Sequence, residues 1–364
     1  MTRPGFRLAL LATVLALVVV TLGAYTRLTH AGLGCPDWPG CYGFIGVPGT
    51  EQQLEHAQLN FPDTPVEADK GWSEMTHRYF AGGLTLLILL LAAQAWRHRH
   101  LAGHPFGLAA GLLGIVAAQA AFGMWTVTLQ LWPQVVAVHL LGGVATLSLS
   151  FLLSLRLRGA RPALPRVPAR LRGARPALPR VPARLRALAV LGLILVALQI
   201  ALGGWVSANY AAMACTDLPT CQGRWWPEAD FSNAFHLTQH IGPNYQGGHL
   251  DSEARTAIHL THRMGAVLVS LTLLALAWQL RRVGLTRLAL LLVSALGGQL
   301  LFGLGNVLLH LPLVLAVAHS AGGAALMLCM TLINYRIAAP LPRLQHGAFA
   351  QIARPSLTSR DALR

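Results

Sequence analysis

Charge is what this sequence has least of. Charged residues fill 11% of its 364 positions against 54% hydrophobic ones, a balance that excludes an ordinary soluble globule. Acids are scarcer still: 13 Asp and Glu face 28 Lys and Arg, for a formal net charge of +15. Cysteine is sparse, with five in all, and no Cys/His spacing matches a structural zinc site. A basic chain can bind nucleic acid, but the distribution of these charges excludes that partner. Arg3 and Arg7, Arg97 and Arg99, the Arg-rich stretch 156–186, Arg281, Arg282 and Arg287, and the C-terminal arginines all fall on one side of the apolar runs. Nearly all the acids, from Asp37 to Asp69 and from Asp217 to Glu253, fall on the other. The basicity is therefore a topology signal: the positive-inside rule places both termini in the cytoplasm and the two acidic loops outside.

What the chain does have is apolar runs of membrane length, about 20 residues each. Eight are read: Leu8–Tyr25, Trp72–Ala95, Phe106–Leu129, Val135–Leu155, Ala187–Ala208, Ala257–Leu280, Leu288–Leu309 and Leu313–Ile333. The fold class expected is an all-α integral membrane protein of eight transmembrane helices. The first run is longer than the apolar region of a signal peptide, and it has an internal counterpart in Ala187–Ala208, so it is read as a membrane helix.

A repeat fixes the architecture. Cys35-Pro-Asp-Trp-Pro-Gly-Cys41 follows the first run, and Cys215-Thr-Asp-Leu-Pro-Thr-Cys221 follows the fifth. Glu74-x-x-His77-Arg78 returns as His259-x-x-His262-Arg263. Gln119, Phe122, Gly123, His139, Gly142 and Gly143 match Gln299, Phe302, Gly303, His319, Gly322 and Gly323, all about 180 residues on. The expected division is an N-terminal four-helix half at 1–156, a cytoplasmic linker at 157–186, a C-terminal half at 187–336 and a cytoplasmic tail at 337–364. With an even number of helices in each, the halves share one orientation about a pseudo-twofold axis along the membrane normal. Within the linker, Leu157–Arg170 and Leu171–Arg184 both read LRGARPALPRVPAR. Contact with anionic lipid head groups is one use for such a segment; tolerated duplication in a loop is the plainer reading, and no role is assigned.

Glu74, His77 and Arg78 sit where a membrane helix opens, although an ionisable side chain at a helix centre costs roughly 2.5–3.5 kcal/mol on insertion scales. Glu74 and His77 share one helix face. The repeat singles out four histidines: His77, His139, His262 and His319. Each lies about five to seven residues inside the external end of its run, roughly 8–10 Å deep at 1.5 Å per residue. One such histidine alone reads as a packing residue. Two at one depth in a four-helix bundle suit the axial positions of a haem, and zinc finds too few further ligands there. Arg78 and Arg263 suit pairing with haem propionates, or snorkelling to the interface. Bis-histidine iron carries electrons but offers oxygen no open position. The acid Glu74 beside one site alone marks the half that reacts, because activating dioxygen consumes protons. His259 reads as a partner of the ligand or of a propionate. The loop histidines His30, His56, His236, His240 and His249, and the cytoplasmic His98, His100 and His104, read as solvated. Cys35–Cys41 and Cys215–Cys221 are expected as external loop disulfides, structural or redox-active, and Cys329 as a buried free thiol.

The run Thr26-Arg27-Leu28-Thr29-His30-Ala31-Gly32-Leu33-Gly34-Cys35-Pro36-Asp37-Trp38-Pro39, the Glu74-x-x-His77-Arg78 motif and the duplicated layout resemble haem A synthases over nearly the whole chain. The resemblance implies oxidation of the C8 methyl of haem O to a formyl group, giving haem A for terminal oxidases in a bacterial-type plasma membrane. Two successive oxygenations by dioxygen would give a geminal diol that loses water. The resemblance also implies that His77 and His139 hold the substrate haem, that His262 and His319 hold a permanent haem b near the external face, and that Glu74 is the functional carboxylate. Expected partners are a haem O synthase, oxidase assembly components, an unidentified electron donor and membrane lipid. A di-haem electron-transfer protein and a non-catalytic haem carrier are the alternatives.

Overall fold

A helix with a long apolar stretch has little face to offer water, and among the described residues eight helices are long and apolar enough to cross a membrane. In a computed structural model, residues 3–159, 181–236, 238 and 240–338 are described, and Ala338 only in its backbone. Most of the tandem duplication and the expected tail lie outside the described residues. The helices are α1 (Phe6–Leu28), α2 (Glu51–Asn60), α3 (Ala68–Arg97), α4 (Phe106–Thr128), α5 (Pro133–Arg158), α6 (Ala183–Ala208), α7 (Phe231–Ala234), α8 (Ser252–Arg282), α9 (Thr286–Leu308) and α10 (Leu313–Ala338). All but α2 and α7 are long and apolar enough to cross a membrane, and each of the eight expected runs is one of them.

The helices outrun the apolar windows where polar residues cap or extend them. Asp251 starts α8 by accepting the Ala254 amide at 2.8 Å, which carries the helix past the expected Ala257 to Ser252. Helix α2, not expected from the sequence, starts with a capping box in which Thr50 and Gln53 each satisfy the other's amide. Within the membrane helices hydroxyls bond back to their own backbone, as Thr146 does to Gly142 O at 2.8 Å and Ser150 to Thr146 O at 2.7 Å. With no water at that depth, the preceding turn is the nearest acceptor.

Helix α1 packs on α3 and α5, and α4 on the same two; α6 packs on α8 and α10, and α9 on those two. The two sets meet where α5 packs on α6, α1 on α10, and α5 on α10. Small residues bring the backbones together. Ala9, Ala12 and Ala16 of α1 are buried, and a Cβ at Gly204 of α6 would stand 2.8 Å from Leu140 of α5. Polar ties reinforce the join at both ends. Tyr335 donates to Leu155 O at 3.2 Å, while at the other end Arg27 donates to Tyr210 Oη at 2.7 Å and to Ser207 O at 2.8 Å.

The two sets share unusual backbone as well as sequence. Left-handed non-glycine residues close the same turns in each: His30 and Tyr210, Tyr42 and Gln222, Gln130 and His310, Leu131 and Leu311. A left-handed L-residue costs roughly 1–2 kcal/mol, so four matched pairs reflect turns held by their surroundings.

Candidate functional site

His77 on α3 and His139 on α5 stand on helices that both pack against α1 and α4, at opposite corners of the first set. Each imidazole lies where a neighbouring helix has glycine. A Cβ at Gly23 of α1 would stand 2.9 Å from His77 Cε1, and one at Gly123 of α4 would stand 3.3 Å from His139 Cε1. The second set repeats the arrangement, with Gly203 of α6 3.3 Å from His262 and Gly303 of α9 3.1 Å from His319 by the same measure. Within each set the two imidazoles are near enough to interact electrostatically. The Nδ1 atoms of His77, His139 and His319 are buried without a side-chain hydrogen-bond partner. Two half-buried imidazoles per set, approaching from opposite helices with glycines beside them, fit a group bound through two histidine nitrogens, as a haem is. Among the described residues no three His, Cys, Asp or Glu side chains gather as an ion held by protein alone would require. Two external pockets flank the second set, lined by Tyr210, Met213 and Arg255 and by Gln222, Glu228 and Thr256. Neither includes a membrane histidine.

Glu74 lies one turn outside His77 and is 4% exposed. Its Oε1 pairs with Arg78 Nη2, and its Oε2 accepts the Cys35 amide at 3.0 Å. Arg78 Nη1 donates onward to Asp37 O at 2.9 Å, Pro39 O at 3.3 Å and Gly40 O at 2.5 Å. A buried carboxylate needs both a counter-charge and hydrogen bonds, and this one has both from its own helix and one loop. That loop is closed by the Cys35–Cys41 disulfide and by Asp37, whose carboxylate accepts the Tyr42 amide at 2.6 Å and the Gly43 amide at 2.8 Å. The Tyr42 phenol is raised above its ordinary pKa, chiefly by burial.

The second set has the same loop with a different tenant. Cys215–Cys221 closes it, and Asp217 accepts the Gln222 amide at 2.6 Å and the Gly223 amide at 3.0 Å. The Thr220 hydroxyl, followed by the Gly223 and Gln222 amides, holds the Asp217 carboxyl down to about 2. Arg263 again donates to loop carbonyls, Thr220 O at 2.9 Å and Cys215 O at 3.0 Å. It has no carboxylate a turn before it on its own helix, because the position of Glu74 is taken by His259. That ring is buried, with Nδ1 3.0 Å from Ala211 O. Arg263 Nε is buried without a partner.

The structure thus ties Glu74 and Arg78 to the first disulfide loop and Arg263 to the second, with His77 on the helix of Glu74 and Arg78, and His259 and His262 on the helix of Arg263. Both disulfides form as expected, and Cys329 is a buried free thiol. Three glutamines were given no role by the sequence. The Gln119, Gln199 and Gln299 amides press on Gly142, Gly265 and Gly322 beside the histidines. Two of them belong to the repeat, and the third is a polar residue inside an apolar run, which was the available signal.

A family model described as COX15-CtaA, cytochrome oxidase assembly protein, matches residues 6–331. A protein from Shewanella oneidensis named Heme A synthase is 44% identical over 323 residues, covering 88% of this chain and 93% of that protein. One of the same name from Maricaulis maris is 27% identical, covering 88% of this chain and 92% of its own length. Heme A synthase COX15 of Arabidopsis thaliana is 23% identical, over 90% of this chain and 73% of that protein.

Proposed function

The chain belongs to the COX15-CtaA family of cytochrome oxidase assembly proteins, and from that premise we propose how its two halves divide the work. The protein is a membrane haem A synthase, an oxidoreductase that converts haem O to haem A. We assign the substrate haem to His77 and His139 in the half 1–156, and a resident haem b to His262 and His319 in the half 187–336. The halves are two four-helix bundles related by a pseudo-twofold axis; the contacts of α1 with α10 and of α5 with α6, which exchange under that axis, support this. The linker 157–186 and tail 337–364 are placed with both termini in the cytoplasm, which puts the histidines near the external face.

One observation carries the division: the buried Glu74–Arg78 pair exists only in the first half, and His259 stands in its place in the second. The reaction turns a methyl group into an aldehyde. Each of two oxygenations consumes one dioxygen, two electrons and two protons, leaving one oxygen on carbon and releasing the other as water. The resulting geminal diol then loses water. His262 and His319 would hold haem b, which would supply a route for electrons from a separate donor. Everything else falls to the side chains. His77 and His139 fix the macrocycle between opposite helices. Glu74 lies a turn from His77 on the same face, where its carboxyl can pass protons or offset positive charge developing on the carbon being oxidised. Arg78 and the Cys35 amide hold that carboxyl in place, and the disulfide loop covers the external end of the site. Arg78, Arg263 and His259 are assigned to the rim that faces the propionates, with the unpartnered Arg263 Nε as support. The product serves terminal oxidase assembly, and a haem O synthase is the partner that supplies the substrate.

The test is expression together with a haem O synthase, followed by extraction and mass identification of the haems. Wild-type protein should yield haem A and haem b. An electron carrier would yield no haem A, and a haem carrier would return haem O unmodified.

A further inference from the structure

We propose that Gln199 is a positioning residue that locks His262 and so makes the second-half haem resident, and that its absence from the first half leaves that haem free to exchange. The inference rests on the ligand assignment above and extends it to the question of which haem can leave. An enzyme whose substrate and product are both haems must release one haem each turnover while keeping the other.

Gln199 Nε2 lies 2.9 Å from the backbone oxygen of His262, 3.0 Å from Nδ1 of its ring and 3.5 Å from Nε2, so the amide packs over the imidazole. One amide thereby contacts both the main chain and the imidazole of a single residue. Its oxygen is buried without a partner. The histidine tautomer that leaves Nε2 for iron carries its proton on Nδ1 and needs an acceptor there. Gln199 Nε2 is a donor and is not that acceptor; the amide acts by its bond to the His262 carbonyl, which fixes it against the ring. The amide has its place because position 265 is glycine: a Cβ there would stand 2.2 Å from Gln199 Oε1. On the other side of the ring, Gln299 Nε2 lies 3.5 Å from His319 Nε2.

The first half lacks this device at both positions that build it. Val19 occupies the place of Gln199, with its carbonyl beside His77. Phe80 occupies the place of Gly265, three residues after the ligand in each half. His77 Nδ1 and His139 Nδ1 are buried with no side chain to hold them, as is His319 Nδ1 in the second half, and the His77 ring has only the Val19 backbone beside it. Gln119 lies against Gly142 but makes no hydrogen bond to His139 like that of Gln199 to His262. Partners of metal-bound histidines typically govern affinity by about 10–100-fold, enough to separate a resident haem from one that exchanges.

The experiment measures haem transfer from purified protein to excess apomyoglobin, together with the midpoint potential of each haem. Gln199→Leu should speed loss of the second-half haem by about tenfold or more and shift its potential, leaving the first-half haem unchanged. Val19→Gln with Phe80→Gly should slow haem release from the first half. Unchanged release and potential in Gln199→Leu would overturn the proposal. His262→Ala separates the two layers: if that variant keeps both haems, the ligand assignment has failed. If it loses one while Gln199→Leu behaves as wild type, only the role of Gln199 has failed.

Discussion

The two halves have the same scaffold and differ at the points where chemistry would be done. Each has a seven-residue disulfide loop pinned by an aspartate, an arginine donating to that loop, and two imidazoles packed on glycines. Against that shared background, Glu74 faces His259, and Val19 faces Gln199. On the proposed assignment, a few substitutions in a repeated frame would make one haem site the reaction site and the other the holding site. The difference between the halves is therefore more informative than either half alone.

The largest expected effect breaks the comparison at Glu74. Glu74→Gln keeps size and hydrogen bonding but removes the charge and the proton. It should lower haem A formation by about 100-fold or more, in the range general acid–base groups contribute. Haem b should stay near normal, and haem O or its alcohol should accumulate, read by mass after extraction. His259→Gln should spare turnover by comparison. Normal haem A output from Glu74→Gln would leave the carboxylate a structural residue.

Next come the disulfide loops. Cys35→Ser with Cys41→Ser frees the loop whose amide and carbonyls hold Glu74 and Arg78, so turnover should drop severalfold. The matching change at Cys215 and Cys221 should act on haem b retention. Equal effects on turnover would show that the loops only stiffen the fold. Non-reducing mass mapping checks the pairing itself, and a Cys35–Cys215 cross-link would overturn it.

The glycines sharpen the comparison more gently. Gly23→Ala places a methyl 2.9 Å from the His77 ring, and Gly203→Ala places one 3.3 Å from the His262 ring. The first should weaken substrate haem binding several times more than the second weakens haem b binding, measured by titration of each haem. Smallest of all is a pH effect. The Asp217 carboxyl is held down to about 2, so its support of the second loop is complete above its ordinary range near 4 and is lost only as pH falls through about 2. Asp217→Asn should remove that acid tolerance; a loop whose proteolysis at pH 3 is unchanged would refute it.

Much of the fold was legible because a bilayer demands long apolar runs, and the repeat located the histidines, Glu74 and the cysteine pairs. Helix α2 escaped notice because its polar residues give no apolar stripe, only the Thr50–Gln53 cap. The link from Glu74 to Cys35 joins residues 39 apart, and nothing local to either announces it. Gln199 escaped for a different reason: a repeat search rewards matches, and Gln199 matters as a mismatch with Val19.

The division of labour is tested most directly by asking which haem each half surrenders. His77→Ala and His262→Ala, expressed with a haem O synthase, should be purified and their haems identified by mass and pyridine haemochrome. The account predicts that His77→Ala keeps haem b but loses haem O and haem A, whereas His262→Ala loses haem b. Loss of haem b from His77→Ala, with its retention in His262→Ala, would exchange the halves and contradict the account.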